Sequence, residues 1–256
     1  MYLRPRVIPC LLLKNNGLVK TVKFKDPRYL GDPINAVRIF NEKYVDELAI
    51  LDIVATKEKR SPNLELLSRI AAEAFMPMCY GGGISTLDEV KIILGMGFEK
   101  VVINTSAVKN PMLIQEASGH FGSQSIVVSI DVKKNFFGKY RAYINCGEVA
   151  TDYDPAELAR KVEQLGAGEI FLNSIDKDGT MSGYDLGLIK KVSESVGIPV
   201  IACGGARNVD DLSMALHNGK ADAMAAGSMF VYYGKHKAVL ITFPNEEELI
   251  KAGVFT

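Results

Sequence analysis

The chain repeats itself, and that restricts its fold more than any other feature. Glu47 and Glu169, Pro77 and Pro199, Gly82 and Gly204, Gly83 and Gly205, Asp88 and Asp210, Gly97 and Gly219, and Ser106 and Ser228 all stand 122 residues apart. Leu64 and Leu66 meet Leu186 and Leu188 at the same step. Near the start of each half the step is 119, pairing Lys14 with Lys133 and Asn16 with Asn135. A unit of this length has the size of four strand–helix pairs, so the chain reads as two successive half-structures.

Short apolar or β-branched runs at 6–13, 47–53, 77–81, 100–104, 126–132, 168–173, 199–203 and 222–226 read as strands. Their near-continuous apolar character is what strands covered on both faces require. Between them lie amphipathic stretches near 33–44, 63–74, 86–96, 111–120, 155–166, 186–196, 210–218 and 245–252. Asp32-Pro33, Ser61-Pro62 and Asp154-Pro155 look like N-caps followed by proline at the first helical position. Gly97, Gly166, Gly197 and Gly219 stand where helices should stop. Eight such units in 256 residues predict an α/β fold, a (β/α)8 TIM barrel built from two half-barrel repeats. A doubly wound sheet is the alternative. The expected organisation is one barrel domain over 1–256, with halves near 1–122 and 123–256. Two segments exceed a simple strand-to-helix loop. Residues 14–31 contain the alternating LVKTVKF, and 133–151 contain KYRAYIN. Both follow a strand at its C-terminal end, where this fold builds its active sites.

Thirty Lys and Arg balance thirty Asp and Glu, which excludes a nucleic-acid or membrane-surface binder driven by bulk charge. Cys10, Cys79, Cys146 and Cys203 show neither CxxC spacing nor a pairing pattern, so reduced thiols in a cytoplasmic protein are expected. The opening apolar run is too short for a signal peptide, and no stretch approaches the ~18 apolar residues of a membrane span.

The repeat puts glycine-rich turns after strands three and seven, Gly81-Gly82-Gly83 and Gly204-Gly205. After strands four and eight it puts Asn104-Thr105-Ser106 and Gly227-Ser228. Glycine lets an anion approach backbone N–H groups, so two opposed cradles are expected, suited to a substrate carrying an anion at each end. The carboxylates at strand C-termini are Asp52, Asp131, Asp176 and Asp178. Asp131 closes the run IVVSID and is the candidate general acid or base. At the step of 119 its counterpart is Leu12, a hydrocarbon, so no mechanism with two symmetrical carboxylates is available. At the opposite end Arg6, Glu47, Lys100 and Glu169 stand at strand starts, where a ring of ion pairs would ordinarily serve stability. His120, His217 and His236 show no metal-ligand spacing, and no metal or cofactor is expected.

The segments RVIPCL, GDP, DELAILDI, GGGI, EKVVINTSAV, FGSQSIVVSID, GAGEI, SIDKDGTMSGYD and ADAMAAGS resemble the cyclase subunit of imidazole glycerol phosphate synthase over nearly the whole chain. The resemblance implies a barrel paired with a glutaminase as a heterodimer, ammonia passing through the barrel to a substrate at the C-terminal face. It assigns phosphate and substrate contacts to Lys20, Asp52, Gly82, Gly83, Asn104, Thr105, Asp178, Gly179, Thr180, Gly204, Gly205, Gly227 and Ser228. It turns Arg6, Glu47, Lys100 and Glu169 from a stabilising ring into an ammonia gate. Ser123 and Gln124 would lie at the glutaminase face. The family uses two catalytic aspartates; Asp131 matches one and Leu12 replaces the other, while Asn173 stands where the family has Thr. Losing one acid or base costs about 10²–10⁴-fold in rate. The leading expectation is therefore an ammonia-conducting subunit with impaired cyclisation. It would serve an acetamidino group on a bacterial surface sugar, alongside a sugar amidotransferase, with a phosphorylated or nucleotide-linked substrate. The alternatives are a true histidine-pathway cyclase that tolerates Leu12 and a non-catalytic scaffold that activates the glutaminase.

Overall fold

The computed structural model describes residues 4–255. Eight parallel strands form its centre: β1 (Arg6–Lys14), β2 (Leu48–Asp52), β3 (Met78–Gly81), β4 (Lys100–Ile103), β5 (Ile126–Lys134), β6 (Glu169–Ser174), β7 (Val200–Cys203) and β8 (Ala223–Ala226). Each pairs with the next, and β8 returns to β1, with Arg6 beside Ala223 and Ile8 beside Ala225. The sheet is thus closed and has no free edge. Helices fill the intervals between strands, giving a (β/α)8 barrel.

Alternation along each strand divides the apolar residues into two bodies. On β6, Ile170 and Leu172 face the helices, while Phe171 joins the barrel interior with Ile8, Ala49, Val127 and Ile201. Each fully buried Ile, Leu or Phe contributes about 1.5–3 kcal/mol, which is why these strands read as apolar throughout.

Helix starts follow the sequence signals with one exception. Asp32 accepts from Asn35 N (3.0 Å) and Asp154 from Ala156 N (3.0 Å), each with proline following. The Ser61-Pro62 pair does not cap a helix. Asn63 does, accepting from Leu66 N at 3.2 Å, so the helix runs Leu64–Glu73 and Pro62 lies in the preceding loop. An amide side chain at the last non-helical position outcompetes a serine two residues upstream.

The two extra segments are hairpins. Gly17–Val22 pairs antiparallel with Lys25–Gly31 and with the end of β1. Tyr140–Ile144 pairs with the end of β5 and with Val149–Ala150. Both stand at the C-terminal end of the barrel, over its mouth.

Candidate functional site

Four charged side chains close the N-terminal end. Arg6 donates to Glu47 through Nη1 and to Glu169 through Nη2. Lys100 Nζ donates to the same two carboxylates at 2.9 and 3.0 Å. Both glutamates are buried, and the result is a closed ring of alternating charge. Burial opposes the Arg6 and Lys100 charges, but Glu169 and Glu47 outweigh it and hold both above their ordinary pKa values. Glu47 Oε1 has no partner among the described residues.

Above the ring the barrel is packed. Ile8, Ala49, Val127, Phe171, Ile201, Ala223 and Ala225 are each 0% exposed, and Cys79 is 1%. Water does not reach these side chains in this conformation. Phe171, Ala49, Ala223 and Ala225 belong to one buried cluster inside the barrel.

A cavity of about 800 Å³ occupies the C-terminal end. Its inner wall includes Leu12, Leu51, Ser129, Asp131, Asn173 and a thiol pair, Cys10 and Cys203. Asp131 is buried at the end of β5 and accepts from Ser129 Oγ at 3.3 Å. Burial pushes its carboxyl up to about 7; the Ser129 bond opposes this and the Asp178 charge adds to it. A carboxyl poised there can hold or release a proton at neutral pH. Its hydrogen-bonding to Cys203, together with burial, holds Cys10 well above the thiol range, and burial next to Asp131 lifts Cys146 to about 12. Both shifts disfavour the thiolate form at neutral pH.

The glycine turns reach the cavity from both halves: Gly82 and Gly83 after β3, Gly204 and Gly205 after β7. Gly82, at φ 123°, lies where a side chain would come within 2.4 Å of Asp52 O. Asn104, Thr105, Gly227 and Ser228 line the same space. Asn104 Nδ2 donates to Ser129 O (3.0 Å), and Thr105 Oγ1 accepts from Asn145 N (3.0 Å). Ser228 Oγ and Asn173 Oδ1 are buried without a partner among the described residues. Two orphaned polar atoms on residues that line the cavity are what a hydrogen-bonding ligand would satisfy.

The first hairpin is latched across the mouth. Lys20 Nζ donates to Asp178 Oδ1 (2.6 Å) and to Thr21 O (2.9 Å). Thr21 Oγ1 donates to Asp178 Oδ2 (2.8 Å), and Lys23 N to Asp178 O (2.9 Å). Gly179 permits this approach: at φ 70°, an added Cβ would lie 2.2 Å from Thr21 O. Asp52 is equally committed, accepting from Val54 N, Ala55 N and Arg60 Nη2 at 3.0, 3.0 and 2.8 Å. Lys20 and Asp52 thus line the cavity with their charges already paired. Thr180 does not join the lining; its hydroxyl bonds Lys177 O and Ser182 Oγ. Asp176 also stands outside, accepting from Lys134 N. Ser123 and Gln124 lie in a short turn just before β5, at the ring end. Ser129 escaped the sequence reading, although its place two residues before Asp131 gives it the same inward face.

Charge is segregated along the axis. The segments 14–32, 53–63, 82–86, 104–110, 133–154, 175–185, 204–208 and 227–245 carry seventeen Lys and Arg against nine Asp and Glu. The remainder is correspondingly acidic, so a neutral chain presents a positive mouth that favours anions. Among the described residues no cluster of three or more His, Cys, Asp or Glu is arranged to hold a metal, and no helix is long and apolar enough to cross a membrane.

Comparison with known proteins agrees with this architecture. The profile of the histidine biosynthesis protein family matches residues 6–237. A Pseudomonas aeruginosa protein provisionally named as imidazole glycerol phosphate synthase subunit hisF2 is 52% identical over 246 residues, 96% of this chain and 98% of its own. A Vibrio vulnificus protein provisionally named as subunit hisF3 is 47% identical over 251 residues, 98% of this chain and 96% of its own. The imidazole glycerol phosphate synthase subunit HisF of Alkaliphilus metalliredigens is 44% identical over 227 residues, 89% of this chain and 90% of its own.

Proposed function

The chain belongs to the cyclase-subunit family of imidazole glycerol phosphate synthase, and from that premise we propose that it is the ammonia-receiving barrel of a glutamine amidotransferase complex whose own ring-closing chemistry is impaired. Its partner is a glutaminase subunit seated over the charged ring. Its ligand is a small molecule bearing phosphate or a similar anion, drawn by the positive mouth and held between the glycine turns of the two halves. The nitrogen goes to an acetamidino group on a bacterial surface sugar, through a separate sugar amidotransferase. The work is done in the cytoplasm, consistent with four free cysteines.

The observation that carries this reading is that Leu12 and Asp131, at the ends of the first and fifth strands, line the same cavity. Closing an imidazole ring calls for proton removal and proton delivery at separate points of the substrate. Asp131 supplies one such group, with a pKa near the working pH. Leu12 can supply none. Ammonia reaches the cavity by transient displacement of the packed axial layer, since the resting axis admits no water. The copy numbers in the names hisF2 and hisF3 fit a protein kept beside an ordinary synthase.

The alternative, a histidine-pathway cyclase, is favoured by the 44% identity to the Alkaliphilus subunit. The two separate when the purified chain and its glutaminase are given ammonium salt with the bisphosphorylated ribulosyl intermediate, or glutamine with an acetamido sugar and its amidotransferase. The proposal expects cyclisation at least about 10²-fold below an ordinary cyclase and transfer in the second arm. Cyclisation within tenfold of the ordinary rate would overturn it. Stimulated glutamine hydrolysis with no nitrogen reaching either acceptor would make the chain an activating scaffold.

A further inference from the structure

We propose that the cavity takes a ligand that is anionic at one end only: a sugar diphosphate, its diphosphate against the first half-barrel and its uncharged hydroxyl and amide groups against the second. The inference rests on the anionic ligand proposed above and narrows its class. Among the described residues, every Lys and Arg that lines the cavity belongs to the first half. Lys20 and Lys57 are engaged by Asp178 and Glu148, each at 2.6 Å, and Arg60 by Asp52 at 2.8 Å. Lys14, Lys25, Lys59 and Lys109 also line the cavity, and among the described residues none of them has an ion-pair partner. They stand at the end of β1, in the first hairpin, after β2 and in the short helix after β4.

The second half contributes Asp131, Glu148 and Asp178 to the lining and no cation. Lysines reaching across from the first half neutralise two of these carboxylates, and Asp131 is left without one. The repeat makes the difference exact at one position. Lys59 and Met181 are 122 residues apart, share a backbone φ of 53°, and both line the cavity. The same place in the fold holds an ammonium in one half and a thioether in the other. A concave site focuses the field of its charges, so a diphosphate is drawn to the four free lysines, while a phosphate at the far end would meet Asp131 with no cation beside it. What the far end offers is hydrogen bonding. Asn173 Oδ1 and Ser228 Oγ are buried there without partners, and Asn173 lies beside Asp131 in the β5–β6 register. An asparagine amide carries both donor and acceptor, which complements a hydroxyl or another amide rather than a dianion.

The test is titration calorimetry of the full chain with UDP-N-acetylglucosamine, UDP and fructose bisphosphate, the last carrying a phosphate at each end. The nucleotide sugar is expected to bind at least about tenfold more tightly than the bisphosphate, and at least about threefold more tightly than UDP, which leaves Asn173 and Ser228 unpaired. Lys59→Gln and Lys109→Gln should each weaken the nucleotide sugar about threefold or more. Lys235→Gln, which removes a charge from the same end of the barrel but outside the cavity, should not. Met181→Lys should raise bisphosphate affinity about threefold or more by restoring the missing cation. Circular dichroism melts of the glutamine variants should match wild type, since these lysines are exposed. Bisphosphate binding as tight as that of the nucleotide sugar overturns the one-ended site, as does an equal response to Lys59→Gln and Lys235→Gln, or heat from none of the three probes. UDP binding as tight as the nucleotide sugar overturns the assignment of the second half. If ring closure proves ordinary while the one-ended preference holds, the function proposed above fails and this site stands; slow ring closure with equal binding of bisphosphate and nucleotide sugar gives the reverse.

Discussion

Replacing Lys100 with Met tests whether the ring is a buried network or a decorated surface. Among the described residues Arg6 and Lys100 are the two cations paired with two buried carboxylates, and Lys100 makes hydrogen bonds of 2.9 and 3.0 Å. Without it, Arg6 alone faces Glu47 and Glu169, leaving one negative charge uncompensated inside the barrel. Breaking such a pair costs about 3–5 kcal/mol, whereas an exposed pair is worth about 0–1 kcal/mol. Lys100 is partly accessible, so the lower end of the buried range is expected, about 3 kcal/mol. For a chain of this size about 1 kcal/mol moves Tm by about 2–4 °C, which puts the loss at about 6–12 °C. The sign with pH follows. The wild-type Lys100 pKa is raised, so its contribution is complete below about 10.4 and disappears only as pH climbs through the higher folded value. Differential scanning calorimetry at pH 8 reads the loss. A loss below about 1 kcal/mol at pH 8 would refute the buried-network argument.

Leu12→Asp should restore cyclisation by at least tenfold, followed as imidazole product from the ribulosyl substrate with ammonium salt; no gain would mean that the cavity has diverged beyond this position. Asp131→Asn should stabilise the fold at alkaline pH. Its folded pKa of about 7 lies above the unfolded value, so the ionisation penalty grows from about pH 4 and is complete above about 7, reaching about 4 kcal/mol. Chemical denaturation at pH 4 and pH 8 should show no gain at the first and the full gain at the second. Gly179→Ala should destabilise by about 1–3 kcal/mol and release the first hairpin, which limited proteolysis within 17–31 would report. Asp178→Ala should loosen the same hairpin by removing its Lys20 and Thr21 bonds, with little change in circular dichroism.

The barrel was legible because its strands are apolar on both faces and its helices carry polar caps, and both signals are local. The candidate site was legible because the repeat points twice at the same places. Gly82 and Gly204, or Ser106 and Ser228, mean little singly and much as pairs 122 residues apart. Ser61-Pro62 misled because a proline after a polar residue marks a turn as readily as a helix start, and only the bond to Leu66 N shows that Asn63 takes the role. The latch was hidden, since nothing in sequence says that Lys20 meets a carboxylate 158 residues away before it meets a ligand. The filled axis was hidden for the same reason. Phe171 reads as one more core residue until it is seen in one inner cluster with Ala49, Ala223 and Ala225.

That filled axis has a consequence for what could cross it. A septum of hydrocarbon between a charged ring and a polar chamber sorts travellers by charge, because an ion entering it would shed its hydration with nothing offered in return. Ammonium would stop at the ring, and a neutral molecule the size of water would cross only when the packed layer opened. Any nitrogen that did cross would arrive without its extra proton, in the form whose lone pair is free to react.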